Sequence, residues 1–367
     1  MTRRILFLDQ YGDMGGGQTV LLSLLDAASG LGELTVLAPQ GPLQQAVRRQ
    51  SSVVTYITCA EPRLSHGRKG IGDAFRLLRA VMGFARHLPL LRRQDIIYVN
   101  GLRHLPALLL LSPLLKARII YHVHLDHSAA EKRLIRLAAR QGATQAIVVN
   151  SSFVQARLDA PKSLLIENAL DRRFAALPFR NRFARPLSRA AVCGTLRPEK
   201  GQDVALAAIA GHPGITLHII GREGDGAAYW IQGLRATAPA NVIFHGPAGD
   251  LAGRLDSLDI QLNLVPSQWD EPFGLAAIEG MACSCLTIVS GKGGLAEIAA
   301  KTGALVAADA QALSALLARL KNESAEALAA QASAQHKATL AAYAPARFRT
   351  EIRALLEAAF AAARTPL

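Results

Sequence analysis

At 367 residues, half of them apolar, the chain has material for two cores of about 150 to 200 residues each, and an Ala- and Leu-rich composition with only 5% aromatics points away from an all-β sandwich. The net charge of +13 is lopsided: residues 1–180 hold 24 Lys/Arg against 12 Asp/Glu, residues 181–367 hold 17 against 16. Such an excess in the first half implies an anionic partner there, whether an acidic membrane surface, a phosphorylated lipid or a nucleic acid.

In chain order, Arg4 to Leu8 reads as a short buried strand. The glycine cluster Gly12, Gly15, Gly16 and Gly17 follows, then Val20, Leu21, Leu24 and Leu25 at helical spacing. Further strands are expected over Leu34–Ala38, Val53–Thr58, Ile96–Asn100, Ile119–Val123, Ala146–Asn150 and Leu164–Glu167, with helical patterns between most of them. The run from Arg63 to Arg93 reads as an Arg-studded helix with Phe75, Leu78, Met82 and Ala85 on its apolar side. It suits either the core or an anionic membrane. The apolar run Leu105–Leu115 is broken by Pro113 and falls short of the roughly 20 residues of a membrane span. Arg3 and Arg4 precede too few apolar residues for an export leader.

Residues 176–189, with Pro178 and Pro186 and no clear period, read as a linker. Strand candidates then resume at Ala190–Gly194, Thr216–Gly221, Val242–His245, Ile260–Val265 and Leu286–Val289, with helices over 201–211, 227–238, 274–283 and 310–320. Alternation of this kind predicts two doubly wound α/β domains, each a parallel sheet covered on both faces, that enclose a cleft. The first is expected over 1–180 and the second over 188–345. The tail from Pro345 forms a helix with Phe348, Ile352, Leu355, Leu356 and Phe360 on one face, expected to return to the first domain over 346–367. Cys59, Cys193, Cys283 and Cys285 lack a second Cys or His pair at zinc spacing and read as reduced thiols of a cytosolic protein.

The most informative stretch runs from Leu258 to Ile298. A strand ends near Pro266; the loop Ser267-Gln268-Trp269-Asp270-Glu271-Pro272-Phe273-Gly274 follows, then a helix containing Glu279. Free N–H groups at 273–275 suit an anion such as a diphosphate. A carboxylate on each side, Glu271 and Glu279, suits the hydroxyls of two sugars, one a ribose. An ordinary capped helix with one solvated and one paired Glu remains the alternative from these residues alone.

The segment Glu271-Pro-Phe-Gly-Leu-Ala-Ala-Ile-Glu279, with Met281-Ala282 and Gly293-Gly294-Leu295-Ala296-Glu297-Ile298 after it, resembles the family-4 retaining glycosyltransferases of GT-B fold. That resemblance implies that Glu271 contacts donor-sugar hydroxyls, Glu279 the ribose, and the amides of Phe273, Gly274 and Leu275 the diphosphate. Asn168-Ala169-Leu170-Asp171 resembles the turn closing the first domain. Gly194-Thr195-Leu196-Arg197-Pro198-Glu199-Lys200-Gly201 resembles the phosphate loop, with Lys200 in the phosphate-binding place. Thr195 stands where the family has Arg, which leaves Arg197 as the nearby second cation. Gly221 and Gly246 match its Gly-ended strands, the second bordering the base. Gly16 and Gly17 match the first-domain loop on the acceptor side, and His124 the strand-end His beside the donor sugar.

His122, His124 and His127 raise a zinc alternative. The resemblance implies no metal and no cofactor beyond the nucleotide sugar, and the reading places His122 and His124 on opposite sides of their strand. The resemblance implies retaining transfer of a hexose from a UDP- or GDP-sugar; the family's first domain binds the acceptor, and the charge excess of that domain here adds the expectation of a lipid-linked or phosphorylated glycan, as in bacterial surface polysaccharide or lipopolysaccharide synthesis. The protein is then cytoplasmic and peripheral on the inner membrane face through its basic first domain. A nucleic-acid-binding protein would need stacking aromatics among the arginines, and that region has almost none. A sugar-nucleotide epimerase or a phosphorylase of the same fold remains a further alternative.

Overall fold

The computed structural model describes residues 2–50, 54–60 and 81–363. The chain divides into two compact units, Met1–Ala169 with Ala346–Leu367, and Leu170–Pro345.

The first unit is built on seven parallel strands: β1 (Arg4–Asp9), β2 (Glu33–Ala38), β3 (Thr55–Thr58), β4 (Ile96–Asn100), β5 (Arg118–Val123), β6 (Thr144–Val149) and β7 (Ser163–Leu165). Their order is β3-β2-β1-β4-β5-β6-β7. Along β1, Ile5 and Phe7 enter one apolar core, and Leu6 and Leu8 enter the other. Alternate residues point to opposite faces, so a sheet covered on both sides needs the continuous apolar run seen in the sequence.

Helix Gly16–Ala28 and the C-terminal helix Pro345–Ala363 share the Ile5 side. Phe348, Ile352, Leu355, Leu356 and Phe360 are all buried there. Each fully buried side chain of this size contributes roughly 1.5–3 kcal/mol. The partly exposed pairs Arg3–Glu357 (2.8 Å) and Arg349–Asp26 (2.6 Å) add orientation more than energy, since such pairs contribute about 1 kcal/mol or less. Burial of the apolar face therefore decides where the tail docks.

Most of the helix read over Arg63–Arg93 lies outside the described residues. Within its end, residues 81–85 are helical and a separate turn, Leu88–Leu91, starts with Pro89 in its first positions. Met82, expected on the apolar side, is exposed, while Phe84 is buried.

The second unit carries six parallel strands: β8 (Arg189–Cys193), β9 (Thr216–Ile220), β10 (Val242–His245), β11 (Leu262–Val265), β12 (Leu286–Val289) and β13 (Leu305–Val306). Their order is β10-β9-β8-β11-β12-β13. Both units are the doubly wound parallel-sheet domains expected from the sequence, and the C-terminal helix packs on the first.

Two features differ from expectation. The chain passes to the second unit at Leu170, because Leu170 and Phe174 are buried in that unit's core. Residues 176–189 are also packed rather than free. Phe183 is fully buried, Arg182 donates to the carbonyl of Cys283 at 3.1 Å, and Arg180 pairs with Asp256.

In each sheet the strand order reverses beside the first strand of its unit, between β1 and β4 and between β8 and β11. Ligands of open α/β sheets bind at such switch points, outside the carboxyl ends of the strands. These are the places to look for a site.

Candidate functional site

At the second switch point the loops leaving β8 and β11 touch. Gly201, at φ +71°, makes this possible: a Cβ there would lie 2.0 Å from the carbonyl oxygen of Pro266. Gln268 N–H donates to the Glu199 carbonyl at 2.8 Å across the same contact. Lys200 is thereby carried to Glu271. Its Nζ donates to Oε1 at 2.8 Å and to Oε2 at 2.9 Å. Ser267 Oγ (2.8 Å) and Trp269 Nε1 (2.9 Å) also donate to Oε2, and the indole ring lies under the Lys200 ammonium at 5.3 Å. The carboxylate is thus oriented by three side chains, and sequence reasoning had named only Lys200.

The Gly293-Gly294 segment forms the support beneath Glu271. Gly293 has φ +59°, and a Cβ on it would come within 2.5 Å of the Glu271 carbonyl oxygen, which accepts from Gly294 N–H at 2.6 Å. Two motifs separate in the sequence therefore form one packed feature.

Gly274, at φ +117°, precedes helix Leu275–Ala282. The Phe273 ring is buried edge-on against Tyr343, with centroids 5.6 Å apart, so only its backbone is left for a ligand. Leu275 is half-buried. At Gly280 a Cβ would meet Asn263 Nδ2 at 2.1 Å, so the helix lies close on β11. One turn of that helix separates Glu279 from its start. Burial pushes the Glu279 carboxyl up to about 7, Asp171 adds to the rise, and Arg173 opposes it. Asp171 in turn caps the short helix Arg172–Ala175 through Arg173 N–H (2.8 Å) and holds the Arg173 guanidinium at 3.0 and 3.2 Å. Asp171 belongs to the turn noted in the sequence; its place beside Glu279 had no local signal.

Arg197 does not reach Glu271. It faces Glu199 at 3.5 Å, and its stem lies where a Cβ on Gly224 would be, 2.5 Å from Cγ. The backbone carbonyl of Thr195 accepts from Gln202 Nε2 at 3.1 Å. Gly221 sits tightly against the β8 loop, where a Cβ would be 1.8 Å from the Gly194 carbonyl oxygen, whereas Gly246 borders open space.

In the first unit the ends of β1, β4 and β5 hold a polar cluster. Asp9 is buried and accepts from Tyr11 N–H (3.0 Å), Gln18 Nε2 (2.8 Å) and Asn100 Nδ2 (2.6 Å). Burial raises its carboxyl, and these bonds offset part of the rise. Asn100 Nδ2 also donates to the Gly17 carbonyl at 2.9 Å, while its Oδ1 lies 2.7 Å from His124 Nε2. Gly16 and Gly17, expected in a loop, form the first turn of helix Gly16–Ala28, and that turn is tied to His124 through Asn100; a Cβ on Gly17 would be 3.9 Å from His124 Cδ2. Burial lowers His124 to about 4, with His127 adding to the effect.

The expected separation of His122 and His124 was wrong. Residues two apart on a strand share a face, and the rings stack with centroids 4.1 Å apart. Among the described residues no group of three or more His, Cys, Asp or Glu is placed to hold a metal ion. All four cysteines are free thiols.

Residues 178–338 match the family model described as glycosyl transferases group 1. The whole chain is similar in fold to Anabaena HepE, solved with UDP and glucose: TM-score 0.81, 19% identity, 97% of this chain and 100% of that one. It is also similar to sucrose-phosphate synthase of Thermosynechococcus elongatus, with TM-score 0.78, 19% identity and coverage of 98% and 100%. A glycosyltransferase of Rickettsia africae gives 0.73 and 15% with full coverage of both chains. No curated protein matches the chain by sequence. The fold is therefore GT-B, and the Lys200–Glu271 pair, Glu279 and the Gly293-Gly294 support all lie inside the segment that matches the group 1 transferase family.

Proposed function

We propose that the chain is a glycosyltransferase that takes a hexose from a nucleoside-diphosphate sugar and transfers it with retention. The observation that carries this reading is the Lys200–Glu271 pair at the switch point of the second sheet, beside the start of helix Leu275–Ala282. A cation and a helix N-terminus stabilise charge growing on a departing phosphate. In this reading Lys200 and the amides of Phe273, Gly274 and Leu275 hold the diphosphate, with Arg197 as the second cation. Glu271 holds sugar hydroxyls and Glu279 the ribose, while Gly221 and Gly246 border the nucleotide. The first domain supplies Gly16 and Gly17 on the acceptor side and His124 beside the donor sugar.

HepE is a protein of similar fold solved with UDP-glucose, which supports a UDP-sugar among the UDP- and GDP-linked donors. The excess of cations in residues 1–180 supports a lipid-linked or phosphorylated glycan acceptor and attachment to the cytosolic face of an anionic membrane, as in bacterial surface polysaccharide synthesis. No helix among the described residues is long and apolar enough to cross a membrane.

Thermal shift with a panel of nucleotide sugars, followed by hydrolysis of the best donor, tests the reading. A donor that raises Tm in the wild type and loses that effect in Glu279→Ala supports it. No shift with any UDP- or GDP-sugar would overturn it. Conversion of the donor to an epimer in place of transfer would reassign the chain to the epimerases.

A further inference from the structure

We infer that the surface by which the first domain meets an anionic membrane is formed by helix Leu105–Leu111, the adjoining turn Ser112–Leu114 and helix Ala129–Arg140. This rests on the membrane attachment proposed above and gives it an address. The two helices are the crossovers on either side of β5, and their inner faces fill the core with Leu105, Leu108, Ile135 and Ala138. Gln141 joins their ends, donating to the Leu109 carbonyl at 2.9 Å and accepting from Ser112 Oγ at 2.9 Å. Leu137 lies one helical turn from Gln141, and Leu110 is next to Leu109, so their outer faces form one surface.

That surface has the wrong chemistry for water alone. Leu110 is 67% exposed, Leu114 52% and Leu137 52%. A single exposed leucine needs no explanation; three on three adjoining elements mark an interaction site. Arg133 and Arg140 flank Leu137 at one turn either side, and Lys116 follows Leu114. All three cations are exposed, and none forms an ion pair among the described residues. No Asp or Glu occurs from Leu105 to Lys116, and the one acid of helix Ala129–Arg140, Glu131, is turned to cap Ser128. Leucines surrounded by unpaired cations match a bilayer of anionic lipid, in which the apolar tips enter the acyl boundary and the cations meet headgroups.

Flotation with vesicles of mixed phosphatidylcholine and phosphatidylglycerol tests this. The full chain should bind them, bind pure phosphatidylcholine weakly, and bind less as salt rises. Leu110→Asp with Leu137→Asp should cut binding more than tenfold. Loss of each cation in Lys116→Ala, Arg133→Ala and Arg140→Ala should cost roughly fivefold. All are surface changes, so Tm and the thermal shift by nucleotide sugar should stay as in the wild type. If the leucine variant floats like the wild type, this surface is not the dock and attachment lies elsewhere. If the wild type does not float, membrane attachment itself fails. A dimer in solution that Leu137→Asp splits, without vesicle binding, would make the face a contact between two copies.

Discussion

Lys200 Nζ bridges both carboxylate oxygens of Glu271, at 2.8 and 2.9 Å, so two residues with separate expected roles form one bidentate pair. Their joining is local in space and distant in sequence. It depends on the Gly201–Pro266 contact and on the parallel pairing of β8 with β11.

Removing either partner should therefore cost stability as well as activity. Lys200→Ala strips the strongest donor from a carboxylate that is only 11% exposed, while Ser267 and Trp269 still hold it. A loss of about 1–3 kcal/mol is expected by urea denaturation, with turnover falling about 10²- to 10³-fold. Glu271→Gln combined with Lys200→Ala should cost less than the two changes summed, by on the order of 1 kcal/mol. Strict additivity would show that the pair is not energetically coupled.

Glu279 should make both stability and donor binding depend on pH. Its folded carboxyl titrates at about 7, above the ordinary value of 4.5, through burial and Asp171. The folded state then binds the extra proton, so this contribution to stability is present below pH 4.5 and is lost as pH rises through 7. Hydroxyl donors favour the ionised form. Donor affinity should accordingly rise with pH and level off above about 7, where the free carboxyl is already charged. Glu279→Gln should flatten both profiles; an unchanged Tm profile against pH would remove Glu279 as the titrating group.

How much of this was legible in the sequence follows from which signals are local. The buried strands and the C-terminal helix face were legible, because apolar runs and 3.6-residue spacing are local patterns. Helix Ala325–Ala342 was missed: it buries Gln335, His336 and Thr339 beside Leu328 and Ala332, so no apolar stripe marks it. Strand β13 has only two residues. In the site, Glu271, Glu279 and Lys200 carry a motif signal, but Ser267 and Trp269, in the same loop as Glu271, and Asn100, at the end of β4, acquire their significance only from where their side chains point. Residues 176–189 misled for the opposite reason. Proline and arginine usually mark a linker, but here Arg180 and Arg182 are held by Asp256 and the Cys283 carbonyl.

Gly221 and Gly246 read alike in the sequence and should behave differently. Gly221→Ala would drive a methyl to within 1.8 Å of the Gly194 carbonyl oxygen, backbone that cannot move without the β8 loop. A loss of about 1–3 kcal/mol and a weaker nucleotide thermal shift are expected. Gly246→Ala meets no atom within 4 Å and should leave the unfolding midpoint unchanged. If it weakens donor binding with no loss of stability, the methyl occupies space that the nucleotide needs; equal destabilisation of the two variants would contradict the packing described.

The Asn100–His124 contact fixes a tautomer. Both hydrogens of the Asn100 amide point to acceptors, Asp9 Oδ2 at 2.6 Å and the Gly17 carbonyl at 2.9 Å. A carbonyl cannot donate, so the amide cannot be turned around, and Oδ1 must face His124. The proton at that 2.7 Å contact therefore sits on His124 Nε2, and Nδ1 carries the lone pair. With the ring neutral down to about pH 4, His124 can accept a hydrogen bond from a sugar hydroxyl throughout the neutral range. Nitrogen NMR should show a neutral Nε2–H imidazole at pH 7. Asn100→Ala should leave the fold intact at a cost of about 1–2 kcal/mol, mix the tautomers, and reduce kcat more than donor affinity. Asn100→Asp would place a second carboxylate beside Asp9 and favour a charged imidazole, moving the His124 titration upward. An unchanged tautomer and rate in Asn100→Ala would mean that the ring is oriented by stacking on His122 alone.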